Sequence, residues 1–125
     1  MFDHVKFGVR DLAASKAFYL KALAPLGVQL LGEGSPAYGI ELGRPDGDES
    51  LCLFQTDERP AHLHLAFVAH SRAQVDAFHR EALAAGAQDN GPPGLRPTYS
   101  GRYYAAFVLG PDGHNVEVVF HEPVT

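Results

Sequence analysis

The chain carries an internal repeat, because residues 4–24 align with residues 64–84 without a gap. Proline, aspartate and glycine at 45–47 recur in the same order at 111–113, each time between two apolar runs. A repeat of about 60 residues indicates two copies of one folding unit. The identical pairs of the longer match are His4 and His64, Phe7 and Phe67, Ala13 and Ala73, Ala17 and Ala77, Phe18 and Phe78, Ala22 and Ala82, Leu23 and Leu83, and Ala24 and Ala84.

Length and composition predict one domain built from both copies. The chain has 125 residues, of which 46% are apolar and 20% are charged, which suffices for one buried core. Its formal net charge is -5 and its Lys and Arg residues are scattered, so we expect no nucleic-acid partner. No apolar run approaches the ~20 residues that span a bilayer, and the first residues lack a signal-peptide pattern. We therefore predict a cytoplasmic protein without a membrane partner.

The first unit, residues 1–55, reads as β-α-β-β-β. Apolar and polar residues alternate over 3–9, which predicts a strand whose front face carries His4. Asp11 is a predicted helix cap and Gly27 a predicted helix end. Three further strands are predicted, near 28–32, 36–42 and 50–55.

A polar segment, residues 56–61, connects this unit to the second, residues 62–125. There a strand carrying His64 on its front precedes a helix capped by Ser71 with Gln74 and closed by Gly86. A long Gly- and Pro-rich loop is predicted over 90–102, and loops of that length more often bind than merely connect. A hairpin, 103–109 with 115–121, ends the unit.

Alternation in the last strand predicts that Glu117 shares the front of the sheet with the two histidines. Val116 and Val118 occupy the back of this strand, so Glu117 faces the other way. A carboxylate there must be paired, protonated or bound to a metal. Two imidazoles and one carboxylate form the set that holds a divalent ion with open positions, so His4, His64 and Glu117 are candidate ligands. The alternative is that they are polar residues satisfied by neighbours, with Glu117 paired to Lys6.

The sequence resembles the vicinal oxygen chelate superfamily, which includes glyoxalase I, fosfomycin-resistance thiol transferases, extradiol dioxygenases and bleomycin-resistance proteins. Four segments carry the resemblance: 3–5, 17–19, 64–67 and 110–117. It implies an α+β fold in which two β-α-β-β-β units form an incomplete barrel of mixed sheet with helices outside, often as a homodimer. It also implies one divalent metal ion (Fe, Mn, Ni, Zn or Mg) on His4, His64 and Glu117, and a small substrate that chelates it through two oxygens.

One position departs from the glyoxalase I pattern. The first unit's counterpart of Glu117 is Cys52, where glyoxalase I has a fourth ligand, usually Glu, so authentic glyoxalase I is not expected. Cys52 itself is more typical of a small buried apolar residue than of a ligand.

Further residues are candidates for the substrate pocket. Tyr103 faces the site if the last hairpin is regular, and its hydroxyl is a candidate catalytic donor to a substrate oxyanion; core packing is an equal alternative. Phe54, Arg96 and Phe107 are assigned to the pocket wall.

Three classes of function are open on this basis, the last of them a small-ligand sensor or structural dimer with a decayed site. The first is a metal-dependent lyase or isomerase, thiol transferase or dioxygenase, with the ion acting as a Lewis acid. The second is a metal-free binding protein of the bleomycin-resistance type.

Overall fold

The computed structural model describes residues 1–59 and 61–124 and contains two four-stranded mixed sheets. The sheets are not closed into a barrel, which confirms the prediction of two β-α-β-β-β units in an incomplete barrel. Pro60, in the predicted connector, and Thr125, the last residue of the second unit, lie outside the described residues. The first sheet has the order β1-β4-β3-β2 and the second β5-β8-β7-β6. The elements are β1 (His4–Val9), α1 (Leu12–Ala22), β2 (Gln29–Glu33), β3 (Ile40–Gly43), β4 (Ser50–Gln55), β5 (His64–Val68), α2 (Arg72–Ala84), β6 (Gln88–Leu95), β7 (Tyr103–Leu109) and β8 (Asn115–His121).

Strand pairing is the same in both units. β1 runs parallel to β4 and β5 runs parallel to β8, and the other neighbours are antiparallel. Lys6 pairs with Cys52 in the first sheet, and Ala66 pairs with Glu117 in the second. Since Lys6 and Ala66 each follow a repeated histidine by two residues, the register makes Cys52 the counterpart of Glu117.

Both helices begin where the sequence predicts. The Asp11 carboxylate accepts a hydrogen bond from the Ala14 N–H at 3.0 Å, and the Ser71 hydroxyl accepts one from the Gln74 N–H at 3.1 Å. α1 ends earlier than predicted: it stops at Ala22, and a 3-10 turn, Ala24–Leu26, carries the chain to Gly27.

The predicted long loop is wrong over its first half. β6 occupies Gln88–Leu95, so the loop that remains before β7 is 96–102. β6 is an edge strand, and its pairing with β7 shifts register on both sides of Gly91. Proline lacks an N–H but is tolerated on an edge or at a bulge, which explains how Pro92 and Pro93 lie within a strand.

The two units share one core. A single cluster of buried residues draws on both sheets and both helices, with Phe7, Phe18 and Phe78 among its members. α2 packs on β6, β7 and β8, and α1 packs against α2. A smaller cluster lies on the front of the second sheet and consists of Ala105, Phe107 and Val119, with Tyr103 packed against it. In the described part of the chain, no helix is long and apolar enough to cross a membrane.

Candidate metal centre

Glu117 is a buried carboxylate whose two oxygens have different partners. Its side chain is 3% exposed, between Val116 and Val118 on β8. Oε1 lies 2.7 Å from Nε2 of His64, and Oε2 accepts a hydrogen bond from the Tyr103 hydroxyl. Charge-assisted bonds of this kind offset the cost of removing a carboxylate from water. The carboxylate is therefore paired with His64 and Tyr103, and Lys6 donates instead to the Tyr38 carbonyl.

Strand periodicity brings these side chains together. Glu117 pairs with Ala66 of β5 and with Phe107 of β7, so residues two positions away along either neighbour share its face. His64 is two residues before Ala66, and Tyr103 is four before Phe107. The front of the second sheet consequently presents an imidazole, a carboxylate and a phenol beside the apolar cluster.

Tyr103 is held as a hydrogen-bond donor. Burial, and then its hydrogen bond to Glu117, raise the pKa of its hydroxyl above the usual value, so the group keeps its proton at neutral pH. Its ring packs against Tyr99, at 4.8 Å between centroids, and against His121, at 5.2 Å. The next residue, Tyr104, points to the other face, where its hydroxyl donates to Asp76 at 2.6 Å.

His4 lies apart from this group, on β1 of the first sheet. Its Nδ1 is 2.7 Å from Oδ1 of the neighbouring Asp3. Phe54 also belongs to the first sheet, where the Lys6 ammonium lies 5.6 Å from its ring centroid. Within residues 1–59 and 61–124, no three His, Cys, Asp or Glu side chains converge closely enough to hold a metal ion. The three predicted ligands thus divide into a joined pair and one separate histidine.

A cleft of about 640 Å³ runs between the first strands of the two units. His4 and His64 both line it, together with apolar side chains such as Val5, Leu65 and Phe67. The cleft is the feature that the two repeated histidines share.

The remaining pocket candidates lie on the second sheet. The Arg96 guanidinium carbon lies 5.3 Å from the centroid of the Phe107 ring, and that ring lies 6.3 Å from the His64 ring. Arg96 and Phe107 therefore extend the front face beyond the His64–Glu117 pair.

His114 is a structural residue that sequence reasoning missed. It is fully buried, and its Nδ1 accepts a hydrogen bond from the Leu63 N–H at 2.9 Å. Its ring stands edge-on to the Phe7 ring, with 5.2 Å between centroids. His114 therefore connects the start of β8 to β1 of the first sheet. A histidine after Pro-Asp-Gly looks like a turn residue, and no local pattern distinguishes it from an exposed one.

Comparison with known proteins agrees with this architecture. The model of the Glyoxalase/Bleomycin resistance protein/Dioxygenase superfamily matches residues 1–118. The chain belongs to this superfamily. No curated protein sequence matches it significantly.

Solved structures of superfamily members are similar along nearly the whole chain. A glyoxalase/bleomycin resistance protein from Albidiferax ferrireducens is 31% identical with a TM-score of 0.80, and the match covers 96% of this chain and 98% of that one. A superfamily enzyme from Burkholderia phytofirmans is 21% identical with a TM-score of 0.75, covering 96% and 98%. Lactoylglutathione lyase from Agrobacterium tumefaciens is 21% identical with a TM-score of 0.71, covering 96% and 92%. At 21% identity the last two show a common fold.

Members of this superfamily usually bind a divalent metal ion, and the donor set here fits such an ion in part. Imidazole nitrogen and carboxylate oxygen are suitable donors, and the 2.7 Å between Nε2 of His64 and Oε1 of Glu117 brings two of them to one point. A third protein donor has to come from outside this pair.

Proposed function

We propose that the protein is a divalent-metal-dependent enzyme of the glyoxalase and dioxygenase type, acting on a small substrate that offers two adjacent oxygens. The observation that carries the proposal is the pairing of His64 with Glu117. A carboxylate with 3% exposure lies 2.7 Å from a half-exposed histidine, and that histidine lines the cleft between the two units. A few polar groups that converge beside an apolar cleft are typical of a small-molecule site.

In this proposal His64 and Glu117 supply two metal ligands and His4 supplies the third. His4 comes from the same chain after closure of the cleft, or from a second copy in a homodimer. These residues would hold one divalent ion, and the ion would supply Lewis-acid polarisation of the two substrate oxygens. Cys52 occupies the position of a fourth ligand without a carboxylate, so the proposal remains a three-ligand site rather than authentic glyoxalase I.

The other residues position and shield the reacting groups. The Tyr103 hydroxyl donates to Oε2 of Glu117, so we assign it the orientation of the carboxylate, with Oε1 directed to His64. Ala105, Phe107 and Val119 form an almost fully buried apolar wall that excludes water from the side of Glu117.

Metal analysis tests the proposal. Protein purified without chelators or a metal-binding tag should contain, or take up from Mn, Fe, Ni or Zn, about one equivalent of divalent ion per chain, as three-donor sites do. His64→Ala and Glu117→Gln should each lose most of it. His62→Ala is the matched control, because His62 is an exposed histidine one pleat from His64 and keeps Glu117 paired. Failure of the wild type to take up any of these ions would contradict the proposal.

The same apolar wall supports a second function, a metal-free binding protein of the bleomycin-resistance type. An apolar cluster beside a few convergent polar groups, here His64, Tyr103 and Glu117, is typical of a small-molecule binding site. Saturable binding of a bleomycin-class compound by metal-free protein, unchanged in Glu117→Gln, would favour it over the enzyme.

A further inference from the structure

Arg96 is a cation whose geometry the backbone fixes. It follows β6 directly, and its own N–H donates to the Tyr103 carbonyl at 2.8 Å. Its Nη1 donates to the Gly94 carbonyl at 2.9 Å and its Nη2 to the Pro92 carbonyl at 2.7 Å. A long side chain anchored at both ends has already lost most of its rotamer freedom, so a ligand that binds it does not have to order it.

The guanidinium lies one aromatic ring away from the His64–Glu117 pair. Its central carbon lies 5.3 Å from the centroid of the Phe107 ring. Phe107 stands opposite Glu117 in the β7–β8 pairing, and its ring lies 6.3 Å from the His64 ring. Arg96 and His64 are thus neighbours of the same ring, so a substrate that reaches from one to the other would meet the predicted metal ligands.

The charge of Arg96 is not neutralised within the described residues. No carboxylate lies within ion-pair distance of it, whereas Arg44 and Arg72 each have a glutamate partner. Its two acceptors are neutral carbonyls, and a guanidinium has five N–H donors, so donors remain free. Arg96 is half-buried, which strengthens its attraction for an anion relative to a fully solvated arginine.

We propose that Arg96 binds an oxyanion group, a carboxylate or a phosphoryl group, of the substrate, and so restricts the site to anionic small molecules. The location of this subsite rests on the proposed function, since the chelating oxygens of the same molecule meet His64 and Glu117. The N–H groups of Arg96 that the Gly94 and Pro92 carbonyls leave free can form paired hydrogen bonds with the two oxygens of a carboxylate.

The first test needs no metal. Benzoate, phenylphosphonate and neutral benzamide are titrated into ¹⁵N-labelled metal-free protein, and the Arg96 Nε–H signal is followed, assigned by its loss in Arg96→Lys. The two anions should shift it saturably and benzamide should not, and the preference between them separates carboxylate from phosphoryl recognition. Binding followed at the Phe107 amide should weaken about tenfold or more in Arg96→Gln, as expected for loss of a charge-assisted pair. Arg102→Gln, an exposed arginine of the same loop, is the control and should bind normally. An Arg96 signal that responds equally to anions and benzamide overturns the inference.

The second test separates this inference from the metal proposal. 3,4-Dihydroxybenzoate and 3,4-dihydroxybenzamide, which share a pair of chelating oxygens, are titrated into zinc-loaded protein. The acid should bind more tightly than the amide, and Arg96→Gln should remove that preference while the zinc content stays constant. If the preference survives in Arg96→Gln, the role of Arg96 is overturned and the metal site stands. If zinc does not bind, the ion that the protein does take up replaces it; if none of Mn, Fe, Ni or Zn binds, the metal proposal fails, and the metal-free titration still decides the role of Arg96.

Discussion

At the scale of single residues, the site depends on one buried carboxylate and its two partners. Glu117 has no solvent to stabilise it, so the His64 imidazole and the Tyr103 hydroxyl determine where its oxygens point. Unit one lacks the equivalent arrangement, because Cys52 stands in that position and His4 pairs with Asp3. The chemistry proposed for the pair is thus specific to the second unit.

His114 gives a prediction on pH at the same scale. Burial lowers the pKa of His114, Asp112 opposes this by a smaller amount, and His62 adds a still smaller decrease. The folded state therefore keeps His114 neutral while the unfolded chain takes up a proton below about pH 6.5, so stability falls as the pH falls through that range. In His114→Asn, which does not titrate, the free energy of unfolding should fall less steeply between pH 7 and 5.

Urea denaturation at several pH values measures this slope. The variant should also be less stable at pH 7 by about 2 kcal/mol or more, because a buried ring is lost. His70→Asn changes an exposed histidine and should leave the slope as in the wild type. An unchanged slope in His114→Asn would show that other groups account for the acid sensitivity.

At the scale of elements, the boundaries of two strands depend on residues with a restricted backbone conformation, namely the prolines of β6 and the glycine before β3. β6 contains two prolines, and its pairing with β7 shifts register twice. After these shifts, Arg96 lies beside Phe107. β3 starts only at Ile40, later than the predicted 36–42, because the chain first turns through Gly39.

Gly39→Ala should disrupt the start of β3. The φ of Gly39 is +102°, and a Cβ atom there would lie 1.9 Å from the Leu53 carbonyl oxygen, which is backbone and cannot move aside cheaply. The free energy of unfolding should fall by about 3 kcal/mol or more, from the strained conformation and the clash together. Thermal unfolding of both Gly39→Ala and Gly101→Ala measures this. Gly101→Ala is the control, since a Cβ at Gly101 meets no atom within 4 Å. Equal stability of the two variants would refute the steric argument.

At the scale of the whole molecule, the separation of the two repeated histidines is the main feature. β1 and β5 are both edge strands, and the cleft between them is lined by His4 and His64. Unpaired strand edges favour association, so we predict a homodimer in which such edges are covered.

Mixing of variants tests how His4 is supplied. His4→Ala and His64→Ala should each fail to bind metal alone. If the donors come from two chains, an equimolar mixture refolded together should regain metal, because half of the chains then form mixed dimers that each contain one complete set. Light scattering should give twice the chain mass of 13.5 kDa. No recovery from a mixture shown to contain mixed dimers would mean that one chain supplies all three ligands, and a monomer at every concentration would contradict the dimer.

The two repeated units, the helix caps and the face on which each strand residue lies could be predicted from the sequence. These features depend on short-range geometry. Alternation along the strands assigned Glu117 and His64 to one face, and Ser71 caps α2 through a hydrogen bond from a residue three positions later. The resemblance to the superfamily followed from the same local segments.

Which of these side chains contact one another could be seen only in the tertiary structure. The pairing of Glu117 with His64 spans 53 residues and depends on parallel β5–β8 pairing, and the burial of His114 depends on Phe7 from the other unit. The prolines of β6 indicated a loop in the sequence, but this segment forms a strand because it pairs with β7. Local patterns encode the direction of a side chain, but the distance between two residues far apart in sequence is set by how the sheets pack around a shared core.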